Sequence, residues 1–354
     1  MEFALIPGIS ILMCCHNSRQ KLPFSLQHLQ ALHIPNGMNV ELLVVDNAST
    51  DDTLSFAREY VQKHPLPFPV HYLQEPQLGL SFARLTGILA ARYEFVLFCD
   101  DDNGLYPDYL EQALQCLHQL PEHEAIAMIG GQGIAVFETP PPVWARQFHL
   151  FGCGPQAQRS GPVRQLYGAG SLLWKKAFLH LHAAGFRWLL TDRQGERLTS
   201  GGDFELCAAL QICGYRLWYA ENLRFAHFLT ATRLSLPYYQ RFIREASVSE
   251  NFFLLYHALP HARGHSRWPV RWLALREAGY HVWRLFALLL KTFSMHTRPG
   301  SRELRRLRIF YHSSRLHHLM HIKRELHNSW PLLVDWYRNL NNHLPQTSPK
   351  QRFV

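Results

Sequence analysis

The 354-residue chain lacks several features that mark special classes of protein. Its seven cysteines are an odd number, with neither a CxxC pair nor a zinc-ligand spacing. This argues against a disulfide scaffold or a zinc site and favours reduced, buried thiols. Charged residues make up only 18% of the chain and apolar residues 47%, a balance that excludes a disordered protein. No internal repeat or low-complexity segment occurs.

A long uninterrupted apolar run is also missing. The longest strongly apolar stretch late in the chain, residues 282–293, is interrupted by Arg284 and Lys291. It is too short and too charged to span a membrane. The N-terminus has no basic segment followed by a long apolar one, so we expect no signal peptide. The sequence therefore predicts a cytoplasmic protein that is not secreted.

The charge that is present is unevenly distributed along the chain. The formal net charge is +9, but residues 1–230 carry 16 basic and 21 acidic side chains, whereas residues 231–354 carry 20 and 6. The acidic first part is compatible with a divalent-metal site. The basic second part indicates either an anionic partner or a solvated surface.

Short apolar runs alternate with helical patterns through the first 130 residues. Strands are predicted at residues 8–15, 40–46, 70–74, 94–100 and 125–131. Helices are predicted at residues 25–32, 51–64, 81–91 and 109–120. This alternation implies a parallel sheet with right-handed crossovers, in which ligands bind beyond the carboxyl ends of the strands. Asp46 and Asp100 both stand at such ends.

Three successive acids, Asp100, Asp101 and Asp102, begin at the last residue of the predicted strand at 94–100. Carboxylates placed there are costly unless they are solvated or neutralised by a cation. Two carboxylates at i and i+2 can share one Mg²⁺ or Mn²⁺, with substrate phosphates completing the coordination shell. An Asx-rich turn that caps the next helix would give the same pattern.

Two further acids occupy comparable positions. Asp46 leaves its strand just before small polar residues and can contact a nucleobase or ribose; a helix cap explains residues 49–51 but not Asp46. Asp203 follows two glycines at the start of a predicted helix, residues 200–213. A carboxylate there can accept a proton from a nucleophilic hydroxyl, an effect worth roughly 10²–10⁴ in rate. A plain helix cap would also explain Asp203.

The order of these motifs resembles the family 2 glycosyltransferases of the GT-A fold, in particular the type that assembles bacterial surface polysaccharides. The resemblance extends from about residue 8 to about residue 244. It is carried by ISILMCCHN, VVDNASTDDT, EPQLGLSFARLTGI, FCDDDN, YGAGSLLWKK and SGGDFELCAALQICGYRLWYAENLRFAH. It implies an α/β fold with a Rossmann-like, mostly parallel sheet flanked by helices. The catalytic domain would span residues 1–232, with a nucleotide-binding half at 1–105 and an acceptor-side half at 106–232. A helical, basic region, 233–354, would follow.

The resemblance also implies roles for individual residues. The donor would be bound by Cys15, Asn17, Asp46, Asn47, Arg84, Asp100 and Asp101. A divalent cofactor, Mn²⁺ or Mg²⁺, would be held on the donor diphosphate by Asp100 and Asp102, which match the family's DxD motif, and by His227. Asp203 would be the general base. The acceptor side would contain Gly168, Ala169, Gly170 and Gly202.

Some positions depart from the family's pattern. His16 stands where tyrosine is common, and Lys175 and Lys176 stand where arginines are frequent. Gly202 replaces the usual glutamate before Asp203. The missing glutamate bears on the acceptor side and leaves the assignment of the base intact.

The function implied is inverting transfer of a sugar, by single displacement, from a nucleotide-sugar, which we expect to be a UDP-sugar. The acceptor would be a hydroxyl of a glycan or lipid-linked glycan. One alternative is a sugar nucleotidyltransferase, but residues 14–22 lack the glycine-rich phosphate loop that such enzymes need. Another is a non-catalytic donor-binding scaffold in a polysaccharide assembly complex, against which the intact acids argue.

The C-terminal third has apolar residues at helical spacing with arginines between them. Trp272, Leu275, Trp283 and Phe286 follow this pattern, and Arg276 is one of the interleaved arginines. Such a basic amphipathic helix can lie in a membrane interface, here at the cytoplasmic face. A helical appendage packed on the catalytic domain, or a dimer interface, would give the same pattern. No helix-turn-helix, zinc or RNA-binding signature occurs, so nucleic acid is not an expected partner.

Overall fold

The computed structural model describes residues 5–120, 125–145, 151–195, 197–290 and 301–343. Within these residues nine strands form one sheet. The strands are β1 (Ile6–Cys15), β2 (Val40–Asn47), β3 (Val70–Glu75), β4 (Tyr93–Phe98), β5 (Asn103–Leu105), β6 (Ile126–Phe137), β7 (Gly161–Val163), β8 (Ser171–Trp174) and β9 (Arg216–Leu229). The helices among them are α1 (Leu22–Gln30), α2 (Thr53–Lys63), α3 (Leu80–Ala90), α4 (Tyr109–Gln119), α5 (Lys175–Ala183) and α6 (Gly202–Ile212).

The sheet has the strand order β3-β2-β1-β4-β8-β6-β9-β5, and β7 pairs with β9. The first four strands in this order are all parallel. β8 joins them to β6 through antiparallel pairs, and β6 and β9 form a long parallel ladder. Parallel ladders therefore contain most of the paired positions. The predicted mixed α/β architecture, with a mostly parallel sheet flanked by helices, is confirmed.

The apolar central strands follow from helices packing on both faces of the sheet. All eight residues of β2 are buried. Side chains alternate across a strand, so Leu43 and Val45 join the core on one face while Leu42 and Val44 join the core on the other. The register that pairs Cys15 with Asp46 brings the carboxyl ends of β1 and β2 together. Both ends open onto the same edge of the sheet.

Most predicted elements occur within a few residues of their expected bounds. Residues 216–229 form one long continuous strand, β9. The structure adds β5, a three-residue strand whose Asn103 pairs with His227. Asp100, Asp101 and Asp102 thus lie in a tight connection between β4 and β5. That connection brings His227 beside the three acids.

The C-terminal helices pack on the sheet domain. They are α7 (Leu236–Ala246), α8 (Ser249–Ala258), α9 (Trp268–Leu290), α10 (Ser301–Met320), α11 (Lys323–Asn328) and α12 (Trp330–His343). Leu255 of α8 and Trp330 of α12 belong to the same buried core as Leu206 and Leu210 of α6. These helices therefore form an appendage that packs on the sheet domain, as one of the predictions had it. The domain boundary at residue 232 stays a prediction.

Within the described residues, no helix is both long enough and apolar enough to cross a membrane. Residues 291–293, which end the apolar stretch noted in the sequence, lie outside the described residues. Residues 294–300 and 344–354 of the C-terminal region lie outside them as well.

Arg315 of α10 is a fully buried cation that ties three helices together. Its guanidinium donates to the carbonyl oxygen of Ser247 at 2.7 Å and to Asn251 Oδ1 at 3.1 Å. It also forms ion pairs with Glu250 of α8 at 2.9 Å and with Glu277 of α9 at 2.7 Å. Burial raises the pKa of Glu250 to about 7 although Arg315 lowers it. These contacts make Arg315 a central support of the helical region.

We expect Arg315→Ala to lower the free energy of unfolding by about 3–5 kcal/mol, because the change removes a fully buried cation and leaves the partly buried carboxylates of Glu250 and Glu277 without their partner. Urea unfolding followed by circular dichroism measures the effect. Arg306→Ala, at an exposed position of α10, is the matched control and should change stability by no more than about 0.5 kcal/mol. Equal stability of the two variants would show that the contacts of Arg315 do not stabilise the helical region.

Candidate active site

A cleft of about 640 Å³ opens at the carboxyl ends of β1, β2 and β4. Its walls carry acids from three separate stretches of the chain: Asp100, Asp101, Asp102, Asp192 and Asp203. They also carry four lysine or arginine side chains, Lys21, Arg84, Arg193 and Arg233, and two histidines, His16 and His227. Three of the acids that the sequence singled out, Asp100, Asp102 and Asp203, therefore do share one cleft.

The connection after β4 sends Asp100 and Asp101 to different partners. Asp101 accepts hydrogen bonds from the Ser18 hydroxyl and, at 3.1 Å, from Lys21 Nζ. Asp100 points to Arg84, with Oδ1 3.9 Å from a guanidinium nitrogen. Burial, partly offset by Arg84, raises the pKa of Asp100. Asp101 is thus tied to the wall formed by α1, whereas Asp100 is directed into the cleft.

Asp102 is neutralised by two cationic side chains of the chain itself. Arg233 lies 2.8 Å from Asp102 Oδ2, and His227 Nε2 lies 3.4 Å from Oδ1. Burial raises the pKa of the Asp102 carboxyl, but Arg233 and His227 outweigh it, so the net pKa is well below its usual value. Burial lowers the pKa of His227, and the adjacent Asp102 more than reverses this. Both partners are therefore charged near neutral pH.

The donor set fits a divalent cation in part. Asp100 and Asp102 supply two hard carboxylate oxygens to one cleft, which suits Mg²⁺ or Mn²⁺. In the described part of the chain no three His, Cys, Asp or Glu side chains are grouped closely enough to form a metal centre by themselves. A cation would therefore take its remaining ligands from a bound diphosphate and from water. His227 could ligate only after losing the proton that Asp102 stabilises.

Arg84 occupies a central place in the cleft. Its side chain is almost completely buried, and its guanidinium lies 5.0 Å from the centre of the Phe98 ring. The two guanidinium nitrogens lie 3.9 Å from Asp100 and 3.9 Å from Asp192. Burial lowers the pKa of Arg84, but Asp100, Asp192 and Asp203 together raise it. At 3.9 Å neither ion pair is a direct hydrogen bond, so the guanidinium keeps donors for a ligand.

Asp192 is a cleft residue that the sequence analysis missed. It is 5% exposed and has a φ of +58° in the connection between α5 and α6. Burial and the nearby Asp203 raise its pKa to about 6, although Arg84 lowers it. Its only sequence signal is a polar run, TDRQGER, that follows an apolar segment. That signal does not reveal which part of the fold the run packs against, and the same applies to Arg233.

Asp203 stands in the first turn of α6 and lines the cleft. Its Oδ2 accepts the backbone N–H of Gly168 at 2.7 Å, and its Oδ1 accepts the N–H of Phe204 at 3.0 Å. Gly170 N–H donates to the carbonyl oxygen of Phe98 at 2.9 Å. Of the predicted acceptor-side loop, Ala169 lines the cleft, whereas Gly168 and Gly170 are not among its lining residues.

The remaining predicted donor residues divide into two groups. Cys15 and Asn47 line the cleft. Asn17 is not among its lining residues, because its Oδ1 accepts the backbone N–H of Thr50 at 2.8 Å and so holds the loop before α2. Asp46 is also outside the lining; it is 7% exposed, and its buried Oδ1 has no hydrogen-bond partner.

Comparison with known proteins gives one family. The family model described as Glycosyl transferase family 2 matches residues 10–187. The putative glycosyltransferase EpsH of Bacillus subtilis is 34% identical over 109 residues, which are 31% of this chain and 30% of EpsH. The succinoglycan biosynthesis protein ExoM of Rhizobium meliloti is 26% identical over 165 residues, which are 46% of this chain and 50% of ExoM. The chain thus spans half or less of the length of these relatives.

Two solved structures resemble the chain over most of its length. Staphylococcus aureus TarS 1–349 aligns with 90% of this chain and 90% of its own, at 16% identity and a TM-score of 0.46. The mannosyltransferase PcManGT from Pyrobaculum calidifontis, in complex with GDP-Man and Mn²⁺, aligns with 96% of this chain and 88% of its own. Its identity is 13% and its TM-score 0.49.

We expect Gly168→Ala to disturb the centre of the cleft. A Cβ at this position would lie 2.8 Å from Arg84 and 3.2 Å from Asp203 Cβ, so the neighbours must move. We expect a loss of about 1–3 kcal/mol of stability from this overpacking. Gly279→Ala is the control, because nothing lies within 4 Å of its Cβ in α9 and alanine should stabilise the helix. If urea unfolding shows Gly168→Ala to be as stable as the unchanged protein, residue 168 is not packed against Arg84.

Proposed function

Because this chain belongs to glycosyl transferase family 2, we propose that it transfers a sugar from a nucleotide-sugar donor to a hydroxyl of a glycan or lipid-linked glycan acceptor, with inversion. We expect the donor to be a UDP-sugar. The observation that carries the proposal is that Asp100, Asp102, Asp203 and Arg84 line one cleft at the carboxyl ends of parallel strands. The name of ExoM, a succinoglycan biosynthesis protein, supports a glycan acceptor.

The nucleoside end of the donor would bind near the ends of β1 and β2. Asp46 pairs in register with Cys15, which lines the cleft, and its buried Oδ1 has no donor. A buried acceptor without a hydrogen bond costs about 1–3 kcal/mol. An N–H of a base or a hydroxyl of ribose reaching Asp46 would satisfy this oxygen. This is why we retain Asp46 as a donor-binding residue although it lies outside the lining.

The leaving diphosphate needs its developing negative charge offset. Arg84 lies where it can donate to this group, because its guanidinium is buried, oriented and not hydrogen-bonded to either flanking acid. Asp100 and Asp102 would hold a divalent cofactor, Mn²⁺ or Mg²⁺, which as a Lewis acid stabilises transition-state charge. Arg233 would help by keeping Asp102 ionised.

Asp203 is the proposed general base. Backbone N–H groups of Gly168 and Phe204 fix both of its oxygens, so the carboxylate is oriented before the acceptor arrives. It removes the proton of the acceptor hydroxyl while that oxygen attacks the anomeric carbon from the face opposite the diphosphate. A single displacement of this kind inverts the configuration at the anomeric carbon.

The mouth of the cleft has an aromatic wall formed by Phe151, Tyr238 and Phe242. The Phe151 and Phe242 rings pack edge-on at 4.9 Å between centres, and Arg193 lies 5.4 Å from the centre of Phe242. Rings fixed in this way present a rigid apolar surface of the kind that sugar-ring faces pack against. We assign this wall to the acceptor.

We expect Asp203→Asn to lower the rate of transfer at least about 10²-fold while donor binding stays nearly unchanged, because asparagine keeps the shape but cannot accept the proton. Binding is measured as thermal stabilisation by UDP-, GDP- and dTDP-sugars with Mn²⁺, and transfer by mass spectrometry of products. Asp108→Asn, at the start of α4 and outside the cleft lining, is the matched control.

Three outcomes would contradict this scheme. If Asp203→Asn abolishes donor binding, Asp203 belongs to the donor site and is not the base. If the unchanged protein is stabilised by a nucleotide-sugar but neither transfers nor hydrolyses it, a donor-binding scaffold replaces the enzyme. If the unchanged protein joins a nucleotide to a sugar phosphate, it is a nucleotidyltransferase.

We further propose that α9 associates with the cytoplasmic face of a membrane. An apolar stripe runs along the exposed side of this helix and consists of Trp268, Trp272, Leu275, Val282, Trp283, Phe286 and Leu290. The opposite side carries Val270, Ala274 and His281, which are buried. The three stripe tryptophans are 52–68% exposed, which is unusual for so large an apolar side chain.

Charge favours a lipid surface over a second copy of this chain. The exposed Arg271 and Arg276 flank the stripe, and Arg276 lies 5.2 Å from the Trp272 ring. Residues 231–354 carry 20 basic and 6 acidic side chains, so pairing two copies here would bring like charges together. Each arginine near an anionic bilayer contributes roughly 1 kcal/mol of attraction. A lipid-linked acceptor would be reached from such a surface.

We expect the double change Trp272→Ala, Trp283→Ala to weaken binding to vesicles about tenfold or more, because two interfacial side chains are lost. Sedimentation with phosphatidylcholine vesicles, with and without phosphatidylglycerol, measures this binding. Leu332→Ala removes an apolar side chain of α12 that is 61% exposed and should leave binding unchanged. The membrane proposal is wrong if the unchanged protein binds neither kind of vesicle. It is also wrong if the unchanged protein is a dimer that the double change dissociates.

A further inference from the structure

The segment that carries Asp192 is hydrogen-bonded to the first turns of two helices, α3 and α6. On one side, Ser81 of α3 donates through its hydroxyl to the carbonyl oxygen of Leu190 at 2.6 Å. On the other, Glu205 of α6 accepts the N–H groups of Leu189 at 2.8 Å and Leu190 at 3.0 Å. The carboxylate of Asp192 therefore lies between the first turns of α3 and α6. Both helix starts favour a negative charge there.

The first residue of α6 is a glycine that borders this carboxylate. A Cβ on Gly202 would lie 3.0 Å from Asp192 Oδ2 and 3.2 Å from the Ser81 hydroxyl oxygen. A side chain at residue 202 would be tightly crowded, and it would fit only if Asp192 and Ser81 moved by a few tenths of an ångström. The space beside the proposed base, Asp203, is thus filled from a different segment of the chain, ten residues upstream.

The same carboxylate is one of the two that flank Arg84. Asp192 and Asp100 each lie 3.9 Å from a guanidinium nitrogen, on separate nitrogens. Arg84 is nearly fully buried, and neither acid hydrogen-bonds it directly. Its orientation therefore depends on being attracted from both sides. Loss of one acid would let the guanidinium turn toward the other.

We propose that Asp192 is a positioning residue that supplies, in place of a side chain at residue 202, the carboxylate that holds Arg84 beside Asp203. This inference rests on the proposed function. It explains how a chain with glycine before the base keeps an acid at that point of the cleft. If the inference is correct, holding Arg84 requires a carboxylate at this point of the cleft, whether residue 192 or residue 202 provides it.

The test removes the carboxylate from residue 192 and places one at residue 202 instead. Asp192→Ala should lower kcat about 10- to 100-fold, since a group displaced by about 1 Å near the reacting atoms can cost that much. The donor KM should change less, because Arg84 acts mainly on charge that develops in the transition state. Asp192→Ala combined with Gly202→Glu should recover at least about a tenth of the original kcat.

Two controls separate charge from packing. Asp192→Ala combined with Gly202→Gln has nearly the same shape as the rescued variant without the charge, and should stay as slow as Asp192→Ala. Gly202→Glu alone should also be slow, because its side chain meets the Asp192 carboxylate. Thermal unfolding of every variant shows whether the fold is kept. The inference is overturned if Asp192→Ala is fully active, or if the glutamine variant recovers as much activity as the glutamate variant.

A crystal structure of Asp192→Ala gives a readout that needs no donor. The Arg84 guanidinium should turn toward Asp100 in this variant and return in the variant that also carries Gly202→Glu. If the unchanged protein transfers no sugar, the proposed function fails, and the position of Arg84 still decides what Asp192 does. An unmoved Arg84 would show that Asp192 only supports its loop.

Discussion

The buried charge of Arg84 is the interaction on which the cleft depends. A guanidinium removed from water is unfavourable unless anions surround it, and here the anions come from the β4–β5 connection, from the loop before α6 and from α6 itself. These segments are distant in the chain. Their mutual attraction to one cation brings them to a common point and fixes the spacing between the proposed base and the diphosphate site. Around this centre, Lys21 and Arg233 each neutralise a further acid. Most charges in the cleft are therefore oriented before any substrate binds, which is the arrangement that electrostatic catalysis requires.

The sequence was sufficient to predict the α/β fold and part of the site. Period-2 and period-3.6 patterns locate β1 to β4 and α1 to α4, because buried strands and amphipathic helices impose those patterns directly. Asp100 and Asp102 were predicted as site residues from their place at the end of a buried strand, and Asp203 from its place after two glycines at a helix start. All three depend on local chain signals, and the fold brings them together as the parallel topology requires.

The residues that were missed depend on long-range packing. Asp192 has no motif around it, and its position is set by contacts with α3 and α6, each formed by residues far away in the sequence. Arg233 approaches Asp102 only because β9 pairs with the short strand β5. Asn17, which was predicted to bind the donor, does not line the cleft. Its amide oxygen instead satisfies backbone N–H groups of the following loop, a local need that the motif does not reveal.

The hydroxyl of Tyr256 in α8 donates to Glu205 at 2.7 Å, and Glu205 holds the backbone of the loop that carries Asp192. Glu205 is thus a buried carboxylate that links α8 to the loop that lines the cleft. Burial raises the pKa of Glu205 to about 7, against the three hydrogen bonds that favour its ionised form. The helical region therefore supports one wall of the cleft as well as packing on the sheet domain.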